Sequence, residues 1–102
     1  MDSMTWIQNW FAQQCNGVWE HAEGIQIFTL DNPGWSIFID LEGTILAEKD
    51  FEPISIERSE SNWIHCKMAG TTFKGYGGVQ NLNELLIVFK NWVESLEYKQ
   101  EE

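Results

Sequence analysis

The sequence predicts an α+β fold: an antiparallel meander sheet of four to five short strands, packed by an N-terminal and a C-terminal helix. Three observations carry this. The first segment places aromatic residues at helical spacing, the middle of the chain alternates with period two between turn residues, and the last segment has the most continuous helical apolar face. With 102 residues, 43% of them hydrophobic, the chain has material for one core, so residues 1–102 are read as a single domain.

The opening helix is read from "TWIQNWFAQQCNG", where Trp6, Ile7, Trp10, Phe11 and Gln14 share one face. Thr5 and Gln8 have the spacing of a capping box, and Asn16-Gly17 is a stop signal. A loop carrying Trp19, Glu20 and His21 follows. From Gly24 the period changes to two, and Ile25 and Ile27 alternate with Gln26 and Phe28. "DNPG" then reverses the chain into "WSIFIDL", which puts Trp35, Ile37, Ile39 and Leu41 on one face. Phe38 falls on the other face with Ser36 and Asp40, so it is exposed, or covered by a helix or by a partner.

"LAEKDFEP" reads as an acidic loop or edge strand, because Pro53 has no N–H to give a ladder. "ISIER" and "NWIHCKM" are strands around the polar turn "SESN", and "TTFKG" is a further short strand. Strands in sequential order favour a meander. "GYGGVQN" reads as a connection into the last helix; it lacks the Lys-Ser/Thr of a phosphate loop and the fingerprint of a dinucleotide site. Asn81 and Glu84 have capping-box spacing, followed by an apolar face of Leu82, Leu85, Leu86, Phe89, Trp92, Val93 and Leu96. Glu97, Glu101 and Glu102 form an acidic tail at the unfavourable end of the helix dipole.

The formal charge is −10, from 16 acidic and 6 basic residues. Like-charge repulsion argues against direct contact with nucleic acid or an anionic membrane, and favours a cationic partner. No apolar run approaches the roughly 20 residues that span a bilayer, and the first residues do not read as a secretion signal, so a cytoplasmic location is expected. The two cysteines, Cys15 and Cys66, are then read as reduced thiols.

The run "CNGVWEHAEG" looks like a compressed active site, with Cys15 as nucleophile and His21 as base. A predicted helix stop lies between them, and nothing in the spacing brings them together. A metal set of Cys15, His21, His65 and Cys66 fails similarly, since neighbouring residues on a strand point to opposite faces. No cofactor or metal is therefore expected, and an enzyme or small-ligand module using the Cys15/His21 region is the competing reading. The stronger signal is charge placement: residues 40–60 hold seven acids (Asp40, Glu42, Glu48, Asp50, Glu52, Glu57, Glu60) against Lys49 and Arg58, a local balance of −5.

The run "CNGVWEHAEGIQIFTLDNPGWSIFIDLEGT", flanked by "WIQNWFAQQ" and "NLNELLIVFKNW", resembles the immunity protein 53 family of bacterial polymorphic toxin systems over nearly the whole chain. The matching positions are Cys15, Gly17, Trp19, Glu20, His21, Gly24, Asp31, Asn32, Pro33, Gly34, Trp35, Asp40 and Leu41; Val18 stands where the family pattern has a small acidic residue. The resemblance implies a non-enzymatic antidote that binds a cognate toxin domain and protects the producing cell.

Charge and resemblance together give the expected function: stoichiometric occlusion of a cationic toxin, most plausibly a nuclease. The partner-binding candidates are Trp19, Glu20, His21, Asp31, Trp35, Asp40, Glu42, Glu48, Asp50 and Glu52. For Trp19 and Trp35 a core role and an interface role both stand open. A monomer is the default, with dimerisation through a free sheet edge as the alternative.

Overall fold

The computed structural model describes residues 1–100, with side chains through Leu96. Helix α1 spans Ser3–Gln14, a single turn of helix α2 spans Trp19–Ala22, and β1 (Ile25–Leu30) and β2 (Gly34–Asp40) form a hairpin. After a crossover come β3 (Ile54–Glu57), β4 (Trp63–Ala69), β5 (Thr72–Gly77) and helix α3 (Leu82–Gln100). The α+β class is as expected. Of the acidic tail, Glu101 and Glu102 and the side chain of Glu97 lie outside the described residues.

The order of the five strands is β1-β2-β5-β4-β3, all antiparallel, which corrects the simple meander. Only β3-β4-β5 runs sequentially, and β5 inserts beside β2. The physical reason is burial. β2 carries Ile37 and Ile39, both fully buried, and needs a neighbour on each side. Strand β3 has four residues, is mostly exposed, and follows Pro53, which suits an edge. The crossover of residues 41–53 makes this order possible by passing over the helix side of the sheet. There Leu46 joins the core, Phe51 packs on Phe73 and Trp92, and the Trp92 indole donates to the Asp50 carbonyl at 2.9 Å.

Three local expectations also change. Helix α1 begins earlier than the Thr5/Gln8 pair implied: Asp2 is its N-cap and accepts from the Thr5 amide at 2.7 Å. Buried Ser3 then hydrogen-bonds Asn83, tying α1 to α3. At α3, Asn81 does precede the helix, but its Oδ1 accepts from the Trp63 amide of β4 while its Nδ2 donates to Glu84 and Asn62. The reciprocal capping box is replaced by a link to the sheet. Finally, β5 extends to Gly77, so the first part of the Gly-rich stretch is strand and not connection. Gly75 faces α3, and a Cβ there would lie 3.0 Å from Ile37 Cγ2 and 3.3 Å from Leu85 Cδ2. The missing side chains let the helix sit close to the sheet.

The hairpin turn has its own requirement. Gly34 pairs with Leu30, and a Cβ on it would collide with the Gly77 carbonyl of the neighbouring strand. All the core residues of the sheet lie on the helix side: Ile37 and Ile39 of β2, Phe73 of β5, and Ile64 and Cys66 of β4, meeting Ile7 and Trp10 of α1 and Leu85, Leu86, Phe89, Trp92 and Val93 of α3. Edge-to-face ring contacts run through this layer, with Trp10–Phe89 at 5.1 Å and Phe51–Trp92 at 5.3 Å.

Candidate functional site

The expected site residues fall in three places. The first is the turn around α2. Asn16 Oδ1 accepts from the Val18 and Trp19 amides, both at 2.9 Å, and Gly17 at φ +90° turns the chain out of α1. The turn drives the Trp19 ring into the core, where it is 4% exposed and edge-on to Trp10 at 6.0 Å. Trp19 is thus a packing residue, the core role of the two that the sequence left open. Glu20 folds back on the turn. Hydrogen bonds from its own backbone amide and from those of Asn16 and Gly17 hold its carboxyl below the ordinary value. His21 points outward with its side chain 78% exposed, 4.0 Å from Glu20.

Strand pairing brings Asp40 and Glu42 to this end of the sheet, since the Asp40 amide donates to the Gly24 carbonyl at 3.0 Å. Burial, and then repulsion from Asp40 and Glu42, push the Glu23 carboxyl up. Asp40 also accepts from the Thr72 hydroxyl at 3.2 Å. Glu23, Asp40 and Glu42 thus form a local negative patch at the α2 end of the sheet.

Asp31 and Trp35 lie at the opposite end, by the hairpin turn. Asp31 is exposed, while Trp35 is half-buried against the core and its indole donates to the Val79 carbonyl at 2.9 Å. It clamps the β5–α3 connection and stays partly exposed, so its place combines a packing contact with accessible ring surface. Glu48, Asp50 and Glu52 are exposed on the crossover. The acidic run of residues 40–60 is consequently not one patch: it is divided between the α2 end, the crossover, and Glu57 and Glu60 beside the β3–β4 turn.

A further region lies apart from these three places, and of its residues the sequence singles out only Phe38. Alternation sends one residue in two of every strand away from the helices, and among the described residues no helix packs on that side. The uncovered face carries Phe28, Phe38 and Tyr76 in a row across β1, β2 and β5, with ring separations of 5.2 and 6.0 Å. Lys74 Nζ lies 4.9 Å over the Phe38 ring. Phe28 is 42% exposed. Ser36 stands in register between Phe28 and Tyr76, fully buried, and its Oγ has no hydrogen-bond partner. On β4 the Trp63 and His65 rings meet at 5.2 Å, and His65 Nε2 is 3.1 Å from Glu57 Oε1 of β3. The signal was present as Phe28, Phe38, Trp63 and Tyr76 at alternate positions opposite the core. Only the strand order shows that they share a surface.

The catalytic alternative finds no geometry. Cys15 is exposed at the end of α1, with its thiol 3.3 Å from the Phe11 carbonyl. Cys66 is 2% exposed on the helix side, where burial and then the nearby Glu84 charge push its thiol up to about 12. His65, its neighbour, points to the other face. Among the described residues no three His, Cys, Asp or Glu side chains converge as a metal site, and Cys15 and His21 make no hydrogen bond to each other.

The search of curated proteins gave no match, and neither did that of solved structures. The family model described as immunity protein 53 matches residues 4–94, which takes in every strand, the whole of α1 after its first residue and most of α3. The chain belongs to the immunity protein 53 family.

Proposed function

We propose that the chain binds and neutralises a cognate bacterial toxin domain in the cytoplasm, one molecule to one, by covering the toxin's active site without any catalysis of its own. The observation that carries this reading is the uncovered aromatic face of the sheet. A row of partly exposed rings over a rigid antiparallel sheet is the type of surface that supplies anchors in a protein interface, because aromatic side chains bury large areas at small entropic cost. The net charge of −10 supports a cationic toxin, and a nuclease active site, built to hold phosphates, fits that requirement. In this reading the exposed acids Asp31, Glu42, Glu48, Asp50 and Glu52, with the half-buried Glu20 and Asp40, steer the encounter, and the rings slow dissociation.

The test is co-expression with the toxin encoded beside this chain. Wild-type chain is expected to rescue growth and to co-purify with the toxin domain at equal stoichiometry. Phe28→Lys is expected to abolish both while leaving the circular dichroism spectrum unchanged, since this ring is partly exposed and outside the core. Cys15→Ser with His21→Ala is expected to keep full protection. Loss of protection in that double variant, together with an intact Phe28→Lys, would overturn the reading.

A further inference from the structure

The uncovered face ends in a cleft of about 610 Å³ between the hairpin turn and the β3–β4 turn. Resting on the reading of the chain as a toxin-binding protein, we propose that this cleft receives an arginine side chain of the partner. Its walls are the Trp63 and Tyr76 rings, and Leu30 closes the β1 side. Glu57 and Glu60 stand on the rim with exposed carboxylates. Planar rings and carboxylates side by side match a guanidinium, which stacks through its flat face while its N–H groups form paired bonds to an oxygen pair.

The charges of the cleft point the same way. The lining includes one permanent cation, Arg58, and its guanidinium is already committed: it donates to both Glu84 oxygens at 3.0 and 2.7 Å and to Asn62 at 3.0 Å. An anionic occupant would therefore meet two carboxylates and no free guanidinium. An apolar occupant would cover those carboxylates without replacing their water, which costs free energy. A lysine ammonium would satisfy the charge, but it is more strongly hydrated and has no flat face to lay on Trp63 or Tyr76.

The chain itself holds a precedent for this chemistry in the Arg58–Glu84 pair, whose arginine lines the cleft, where a carboxylate grips a guanidinium in two-point fashion at partial exposure. The Glu57 side chain is 71% exposed and, among the described residues, is held by His65 alone, so it can turn to an incoming guanidinium without disturbing the core.

The proposal is tested on the full chain by NMR, following the Trp63 indole N–H while N-acetyl-arginine-N-methylamide is added. A saturable shift at millimolar concentration is expected, with the lysine analogue at least about threefold weaker and the norleucine analogue giving no saturable shift. Glu57→Gln with Glu60→Gln changes only exposed carboxylates and is expected to weaken arginine binding by at least about fivefold. No saturable shift at Trp63, equal binding of the lysine or norleucine analogue, a stronger response to inorganic phosphate, or an unaffected double glutamine variant would each overturn it. The titration contains no toxin, so failure here leaves the immunity reading standing, and failure of the chain to protect cells leaves the arginine result intact.

Discussion

Cys15 and Cys66 show how one residue type acquires two characters from its surroundings. Cys15 is exposed beyond the last turn of α1, whereas Cys66 faces Gly75 across the β4–β5 ladder inside the core, with its thiol pushed up to about 12. Only the thiolate reacts with disulfide reagents, so Ellman's reagent is expected to titrate one thiol in the native protein and a second only after denaturation. Rapid reaction of both native thiols would contradict the burial of β4. The same contrast separates Trp19 from its neighbours: the ring is core, while Val18 before it and His21 after it are exposed. Sequence could name the Trp-Glu-His turn as distinctive. It could not say which of the three side chains points inward, because a one-turn helix has no periodicity long enough to read.

At the scale of elements, β5 and α3 depend on an absent side chain. Gly75→Ala would place a methyl group against Ile37 and Leu85 at distances tighter than ordinary contact, and is expected to destabilise the protein by about 1–3 kcal/mol in urea unfolding. No loss of stability would mean that α3 does not sit on this part of the sheet. A second link joins the β3–β4 turn to α3 through Arg58 and Glu84. The hydrogen bond from Arg58, assisted by Asn81, lowers the Glu84 carboxyl. A depressed folded value gives stability that is present above the ordinary value of 4.5 and is lost as pH falls through the lower folded one. Asp2 and Glu20 act in the same direction, and Glu23, raised by burial, acts against them. Stability is therefore expected to fall as the solution is acidified below pH 4.5, and Glu84→Gln to flatten that decline when thermal midpoints are compared across the range. An identical acid profile in the variant would remove Glu84 from this role.

For the whole molecule the relevant quantity is the distribution of the −10 charge. The acids occupy the α2 end, the crossover and the β3–β4 turn, while Lys67 and Lys74 pair across the uncovered face. Long-range attraction to a cationic toxin needs only the net charge, and it is screened over about 10 Å at 0.1 M salt. Association with the toxin is expected to slow as salt rises, with dissociation changing much less, in stopped-flow measurements. Reversal of Glu48, Asp50 and Glu52 to lysine is expected to reduce the association rate about tenfold or more at low salt. Rates independent of both salt and these charges would confine the acids to a solubility role.

Periodicity and turn chemistry determined much of this protein from the sequence alone. They located both long helices, the β1–β2 hairpin with its Asp-Asn-Pro-Gly turn, and the inward face of β2, because each of these depends on residues close together in the chain. The family resemblance was equally local, carried by strings of neighbouring residues. Three things waited for the tertiary structure: the insertion of β5 beside β2, the strand role of Gly75 and Gly77, and the surface shared by Phe28, Phe38, Tyr76 and Trp63. Each depends on which strand becomes a neighbour. That choice is made by burying Ile37 and Ile39 between two partners under α3, a free energy summed over contacts distant in sequence and invisible to any short window.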